Sequence, residues 1–90
     1  MALIIKSSGE EIVTHPKANG KFSLEEIQAA VGGYIERVCL SEGKQMFLNE
    51  EGKLNNLPFN QKATVLTRGI LAYDDFIVGD VIIVEKGEVD

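Results

Sequence analysis

Residues 31–64, VGGYIERVCLSEGKQMFLNEEGKLNNLPFNQKAT, decide the fold of this chain. The stretch opens on a Gly-Gly pair, continues through two runs of strand-forming residues and a polar Asn-Glu-Glu-Gly turn, and closes on an Asn-x-x-Ala-Thr segment. Glycine and asparagine punctuate it because they adopt turn conformations that other residues resist. We therefore predict short elements separated by tight turns, with the rest of the chain packed around them.

Two antiparallel strands are predicted near the middle of this stretch. Residues 34–40 contain tyrosine, isoleucine and valine, which favour strands. Residues 45–49 return as the hairpin partner after a turn at 41–44. Successive side chains of a strand point to opposite faces, so Met46 and Phe47 are predicted to pack on opposite sides of the sheet.

A short second helix is predicted after the polar turn. Gly52 is expected to supply a positive φ in that turn. Asn60 is a suitable N-cap for a helix over residues 61–67, because its side chain can accept a hydrogen bond from an amide of the first turn. The pattern places Ala63 and Leu66 on the buried side of this helix.

The strongest local signal is the start of the first helix. Ser23 with Glu26 three residues later forms a capping box, and Gly32 or Gly33 can end the helix in the left-handed conformation. The residues expected to face the sheet are those at helical spacing: Leu24, Ile27, Ala30 and Val31.

The two ends of the chain are predicted to complete the sheet. Residues 2–6 and 11–14 are expected to form strands joined by a turn. The run VIIV at 81–84 is apolar on both faces, which is typical of a central strand. Residues 70–76 are predicted to be irregular or an exposed strand, and the charged tail 85–90 is expected to fray.

These patterns predict a single domain over residues 1–90 of the α+β class. We expect a small mixed, mostly antiparallel sheet or partial barrel packed against one or two short helices. A composition of 44% hydrophobic and 26% charged residues is that of an ordinary folded protein. A chain of 90 residues buries a limited core, so oligomerisation would add stability, and a homo-oligomer is one expectation.

Charge and terminal sequence restrict the partners. The net charge is −5 and the basic residues are scattered singly, so direct nucleic-acid binding is not expected. The N-terminal apolar run is four residues long, which is too short for a signal peptide or a membrane span. We expect a cytoplasmic protein that does not bind membranes.

Candidate catalytic residues are few. No phosphate-binding glycine loop, nucleophile elbow or zinc ligand set is present, so no cofactor or metal is expected. We interpret His15 as a residue of a surface loop, with a catalytic base as the alternative. We interpret Glu50 and Glu51 as residues of a solvated turn and not as metal ligands, because the side chains of adjacent turn residues point apart. Cys39 is expected to be a small buried hydrophobe; Arg37 on the same face leaves a reactive thiol as the alternative.

A polar set around the hairpin forms the candidate ligand-binding site. Side-chain amides, carboxylates and hydroxyls can recognise a small polar molecule. The set consists of Tyr34, Glu36, Arg37, Asn49, Glu50, Glu51, Asn60 and Thr64. A structural alternative stays open for three members, because Asn49 can cap the turn, Asn60 can cap the helix and Thr64 can bond backwards along it.

The order of four short blocks resembles one protein family. The blocks are VGGYIE at 31–36, NEEGK at 49–53, LPxNxxAT at 57–64 and VGD at 78–80. They resemble a small, functionally uncharacterised domain of phages, plasmids and other bacterial mobile elements, over about residues 22–84. The resemblance implies no reaction or cofactor. It implies an accessory protein that binds host components, including defence proteins or nucleotide signals.

Three functions follow as hypotheses. The first is a non-catalytic binding module for a small polar molecule such as a nucleotide, with a pocket that protomers can share. The second is a protein–protein interaction domain that modulates a host factor. The third is a small hydrolase that uses Glu50, Glu51 or His15.

Overall fold

The computed structural model describes residues 1–89 and contains an open, five-stranded antiparallel sheet with two short helices. The strand order is β2-β1-β5-β4-β3, and all four neighbouring pairs are antiparallel. The predicted α+β class is confirmed, and the sheet is neither mixed nor closed into a barrel. The elements are β1 (Ala2–Ile5), β2 (Glu11–Thr14), α1 (Leu24–Val31), β3 (Ile35–Cys39), β4 (Gln45–Asn49), α2 (Gln61–Leu66) and β5 (Val81–Val84).

Strand β5 lies at the centre of the sheet, as its sequence predicts. All four of its residues are buried, and they divide between two hydrophobic clusters. Val81 and Ile83 belong to the cluster that contains Ala63 of α2. Ile82 and Val84 belong to the cluster formed with α1. The two helices therefore cover opposite faces of the sheet, and β5 contributes to both layers of the core.

Helix α1 begins and ends where predicted. The Ser23 hydroxyl accepts a hydrogen bond from the Glu26 amide at 3.1 Å, and the Glu26 carboxylate accepts one from the Ser23 amide at 3.0 Å. Gly32 ends the helix with φ 83°. The inward position predicted for Leu24 is wrong, since this side chain is 54% exposed. Phe22, which precedes the cap, belongs to the core cluster of Ile27 instead.

Two further burial predictions are wrong. Cys39 is exposed, because β3 is an edge strand and this residue lies at its end. Leu66 is also exposed, because α2 ends there, and the next residue, Thr67, is the one that points inward. The irregular conformation predicted for residues 70–76 is confirmed.

Gly52 is needed for space and not for a positive φ, contrary to prediction. Its φ is not among the positive values of the chain. A Cβ at this position would lie 2.9 Å from Cγ2 of Val78 and 3.3 Å from the carbonyl oxygen of Asn49. The turn packs directly against the segment before β5, so any side chain larger than hydrogen would displace one of them.

The C-terminal segment is attached to the domain through residue 88. The Glu88 carboxylate accepts hydrogen bonds from the Glu85 amide at 2.7 Å and from the amino nitrogen of Met1. The Phe22 amide donates to the Glu88 carbonyl oxygen at 2.6 Å. These contacts join Glu85 and Glu88 to the rest of the domain; the fraying of the tail stays a prediction, and Asp90 lies outside the described part of the chain.

We predict that Glu88 makes the stability of the domain depend on pH in acid. Burial alone would raise the pKa of Glu88, but the hydrogen bonds from Met1 and Glu85 outweigh it and hold the pKa below its ordinary value. A lowered folded pKa contributes stability that is complete above about pH 4.3, the unfolded value, and is lost as the pH falls through the folded value. Glu88→Gln should cost about 1–2 kcal/mol in urea unfolding at pH 7.

The difference between wild type and Glu88→Gln should shrink as the pH is lowered, because a protonated glutamate resembles glutamine. Glu10→Gln is the matched control, since Glu10 is exposed and its carboxylate makes no hydrogen bond or ion pair within residues 1–89. An equal loss in both variants, or a difference that does not change with pH, would contradict the role of Glu88.

Candidate functional site

Asn49 ties the polar turn to the end of α1. Its side-chain oxygen accepts a hydrogen bond from the Glu51 amide at 2.8 Å, and its side-chain nitrogen donates to the Val31 carbonyl oxygen at 3.3 Å. Gly33 lies against it, since a Cβ there would approach the Asn49 amide nitrogen to 3.0 Å. The buried amide therefore uses both its oxygen and its nitrogen in holding the loop against the helix.

Asn60 joins three parts of the fold and is 1% exposed. Its side-chain oxygen accepts from the Ala63 amide at 3.0 Å and so caps α2, as predicted. Its side-chain nitrogen donates to the Ile5 carbonyl oxygen at 3.0 Å and to the Gly79 carbonyl oxygen at 2.8 Å. One side chain thereby connects the end of β1, the segment before β5 and the start of α2.

Thr64 is also occupied by backbone groups. Its hydroxyl donates to the Asn60 carbonyl oxygen at 2.8 Å and accepts from the Ile77 amide at 2.9 Å. The backward bond is the one that the structural alternative predicted. Asn49, Asn60 and Thr64 thus hold backbone segments together, and their polar atoms do not converge on one open pocket.

The other five predicted site residues are exposed, and four of them divide between two depressions that are both lined by Asn49. Glu36 and Glu50 line a small cavity of about 100 Å³. Tyr34 and Glu51 line an open depression of about 260 Å³ on the α1 side. Arg37 borders neither.

Three aromatic or cationic side chains, which the sequence did not single out, lie beside the small cavity. The rings of Phe59 and Phe76 have centroids 6.1 Å apart and are tilted by 57°. The Lys53 ammonium lies 4.5 Å from the centroid of the Phe76 ring, a cation–π geometry. Phe59 and Phe76 both occur in segments without hydrophobic periodicity. The only feature of the sequence that could have pointed to them is an aromatic residue outside the predicted helices and strands.

Exposed apolar side chains and carboxylates lie near the small cavity. Leu54 is 77% exposed and Phe59 is 53% exposed. The hydrogen bond from Lys53 and then that from the Phe76 amide lower the pKa of Asp75, which keeps this carboxyl ionised. The side chains of Glu36 and Glu50 have no hydrogen-bond or ion-pair partner within residues 1–89. Exposed phenylalanine rings therefore lie beside a cavity that is lined by unpaired carboxylates, and Leu54 is exposed on the same loop as Phe59.

The residues of the hydrolase hypothesis are not brought together. Glu50 and Glu51 line different depressions, and His15 borders neither of these. In the described part of the chain, no group of three or more histidine, cysteine, aspartate or glutamate side chains is placed to hold a metal ion. Residues 1–89 also contain no helix of the length and apolarity that a membrane crossing requires.

The fold and this surface define a small α+β domain whose exposed loop is held from within by buried asparagines. The chain belongs to the family described as a domain of unknown function, DUF3846, whose model matches residues 1–90. The predicted membership of an uncharacterised domain family is confirmed. Comparisons with curated proteins and with solved structures gave no match.

We predict that Asn60→Asp destabilises the fold although it preserves the shape of the side chain. An aspartate can still cap α2, but it cannot donate to the Ile5 and Gly79 carbonyl oxygens, and it places a charge in a buried site. The loss should be about 3–5 kcal/mol at pH 7 in chemical denaturation. Asn55→Asp, at an exposed residue of the same loop, should change stability by less than about 0.5 kcal/mol. Equal effects would contradict the role assigned to Asn60.

Proposed function

We propose that this protein is a non-catalytic binding module that contacts a protein partner through its loop surface, defined as Lys53, Leu54, Phe59 and Phe76. The observation that carries the proposal is that the buried polar side chains bind backbone groups of the protein itself. Asn49 and Asn60 hold the two ends of the loop from the inside, and the side chains that the loop displays outward include the large apolar groups of Leu54 and Phe59.

Rigidity of the loop favours binding. Residues 50–59 form no regular helix or strand, yet the loop is anchored at its two ends and packs through Gly52 against Val78. A surface that is already ordered loses little conformational entropy when a partner docks. If no partner bound there, an exposed leucine and an exposed phenylalanine would reduce the solubility of the protein without stabilising its fold.

The composition of the loop surface suits a protein partner. Aromatic rings are enriched in the centres of protein interfaces, and polar or charged residues form the rim. Glu36 and Glu50 supply a negative rim, which favours a partner segment that carries arginine or lysine next to apolar residues.

The sequence resemblance supports a biological setting for this proposal. The VGGYIE, NEEGK, LPxNxxAT and VGD blocks resemble domains of phages and other mobile elements. We propose that the protein is an accessory protein of such an element and that its partner is a host protein whose activity it modulates. The support for this setting is the motif resemblance alone.

Site-specific photo-crosslinking in host extract tests the loop surface. A crosslinking amino acid at position 54 should capture a defined host protein, and one at position 24 should not, although Leu24 is also an exposed leucine, in the first turn of α1. The captured protein is then purified and its affinity measured. Leu54→Gln and Phe59→Ser should each weaken binding about 10- to 100-fold, because each removes apolar contact area.

Leu24→Gln is the matched control and should bind with unchanged affinity. The proposal is refuted if positions 24 and 54 capture the same proteins. It is equally refuted if the purified partner binds the Leu54→Gln and Phe59→Ser variants as tightly as the wild type.

A second candidate function rests on the open depression beside Tyr34. Its lining includes the polar side chains of Gln28, Glu51 and Asn55 around an exposed tyrosine ring and two glycines, in a volume of about 260 Å³. An exposed ring can stack on a planar base, and amide groups can hydrogen-bond to its edge. This supports the hypothesis of a small polar ligand such as a nucleotide.

Native mass spectrometry with a panel of nucleotides tests this second candidate. Binding should appear as a mass increment that Tyr34→Ala and Asn55→Ala abolish and that Leu54→Gln leaves intact. Binding that survives Tyr34→Ala, or no increment at millimolar nucleotide, would eliminate it.

A further inference from the structure

The α2 side of the sheet is only partly covered. The strand register aligns one residue of each strand in a row across this face: Val13, Leu3, Ile83, Met46 and Val38. The last three are buried, Leu3 is half-buried and Val13 is 55% exposed. In this row, cover therefore ends between β5 and β1, because α2 has only six residues; Ile5 at the end of β1 is buried in the cluster that contains Ala63 of α2.

An apolar groove follows the edge of this cover. It has a volume of about 400 Å³, and its walls include Leu3, Leu40 and Ile83 on the sheet side. Leu66 and Ile70, each 47% exposed, form a ridge along its other side. A second depression begins on the far side of Leu66 and is also lined by Leu3. The same patch thus contains an apolar ridge and the hollows beside it.

Charges of both signs border the groove. Lys44 and Glu85 both lie on its rim: Lys44 precedes Gln45, Glu85 follows Val84, and Gln45 and Val84 are paired in the register of β4 and β5. Neither side chain has an ion-pair partner within residues 1–89. An unpaired cation and an unpaired anion therefore stand side by side on one rim.

We propose that a second copy of this chain occupies the groove and forms a two-fold symmetric dimer. A two-fold interface brings the same patch of both copies together, so each patch must hold both halves of every contact. Here the ridge of one copy enters the hollow of the other, and Lys44 of each copy faces the partner subunit's Glu85. An unrelated partner would require only a ridge or a hollow on this surface, and charges of only one sign. Pairing also covers apolar area that a domain of 90 residues leaves exposed.

Light scattering coupled to size-exclusion chromatography tests the dimer. The wild type at about 0.1 mM should have twice the monomer mass of 9.9 kDa. Leu66→Gln should raise the dimer dissociation constant about 100-fold, since both symmetry-related contacts lose an apolar side chain. Leu24→Gln makes the same change on the other face and should leave the dimer intact. Ile70→Glu provides a second variant if Leu66→Gln does not fold by circular dichroism.

Charge reversal tests the pairing between copies directly. Lys44→Glu and Glu85→Lys each give a rim of one sign, so each variant alone should be monomeric at concentrations where the wild type dimerises. Mixed together, the two variants should form a heterodimer, detected by tagging one of them and measuring mass. Contacts within one chain cannot produce this rescue.

A monomeric wild type would overturn the proposal. So would a dimer that Leu66→Gln and Ile70→Glu leave intact, or charge-reversed variants that do not combine. The groove and the loop surface share no residue, so the dimer and the protein-binding function can fail separately: Leu54→Gln should keep the dimer, and Leu66→Gln should keep the captured partner.

Discussion

The buried amide of Asn60 is the interaction on which the α2 face of this domain depends. Its donations to Ile5 and Gly79 fix the ends of two neighbouring strands relative to each other, and its acceptance from Ala63 starts the helix that covers them. A helix of six residues has little stability of its own. α2 therefore exists because a cap and tertiary contacts hold it, and the aliphatic core beneath it closes only once that cap is made.

Polar residues in this domain organise loops, and the loops then present apolar side chains. The usual expectation is the reverse, with apolar groups inside and polar groups available to ligands. Asn49 and Thr64 follow the same rule as Asn60, since backbone groups satisfy each of them. The outward side chains, Leu54 and Phe59 among them, are consequently the ones that bear on binding.

The sequence predicted where the polar turn and the helix cap of the candidate site lie, but not which side chains line the same depression. The polar turn and the helix cap both lie where the motifs place them. The division of the exposed residues between two depressions depends on residues 71–78, which pack beside β4 and carry Phe76 to within reach of Phe59. No local pattern encodes that contact, because the two rings belong to irregular segments separated by α2.

Local chemistry by itself determined the elements with strong start and stop signals. The capping box at Ser23, the glycine end of α1 and the apolar strand β5 all follow from short-range hydrogen bonding and hydrophobic pattern. Tertiary structure decided which side chains of those elements are buried. Leu24 and Leu66 occupy apparently inward positions and are exposed, because burial requires an opposing element at that point and a helical period cannot specify one.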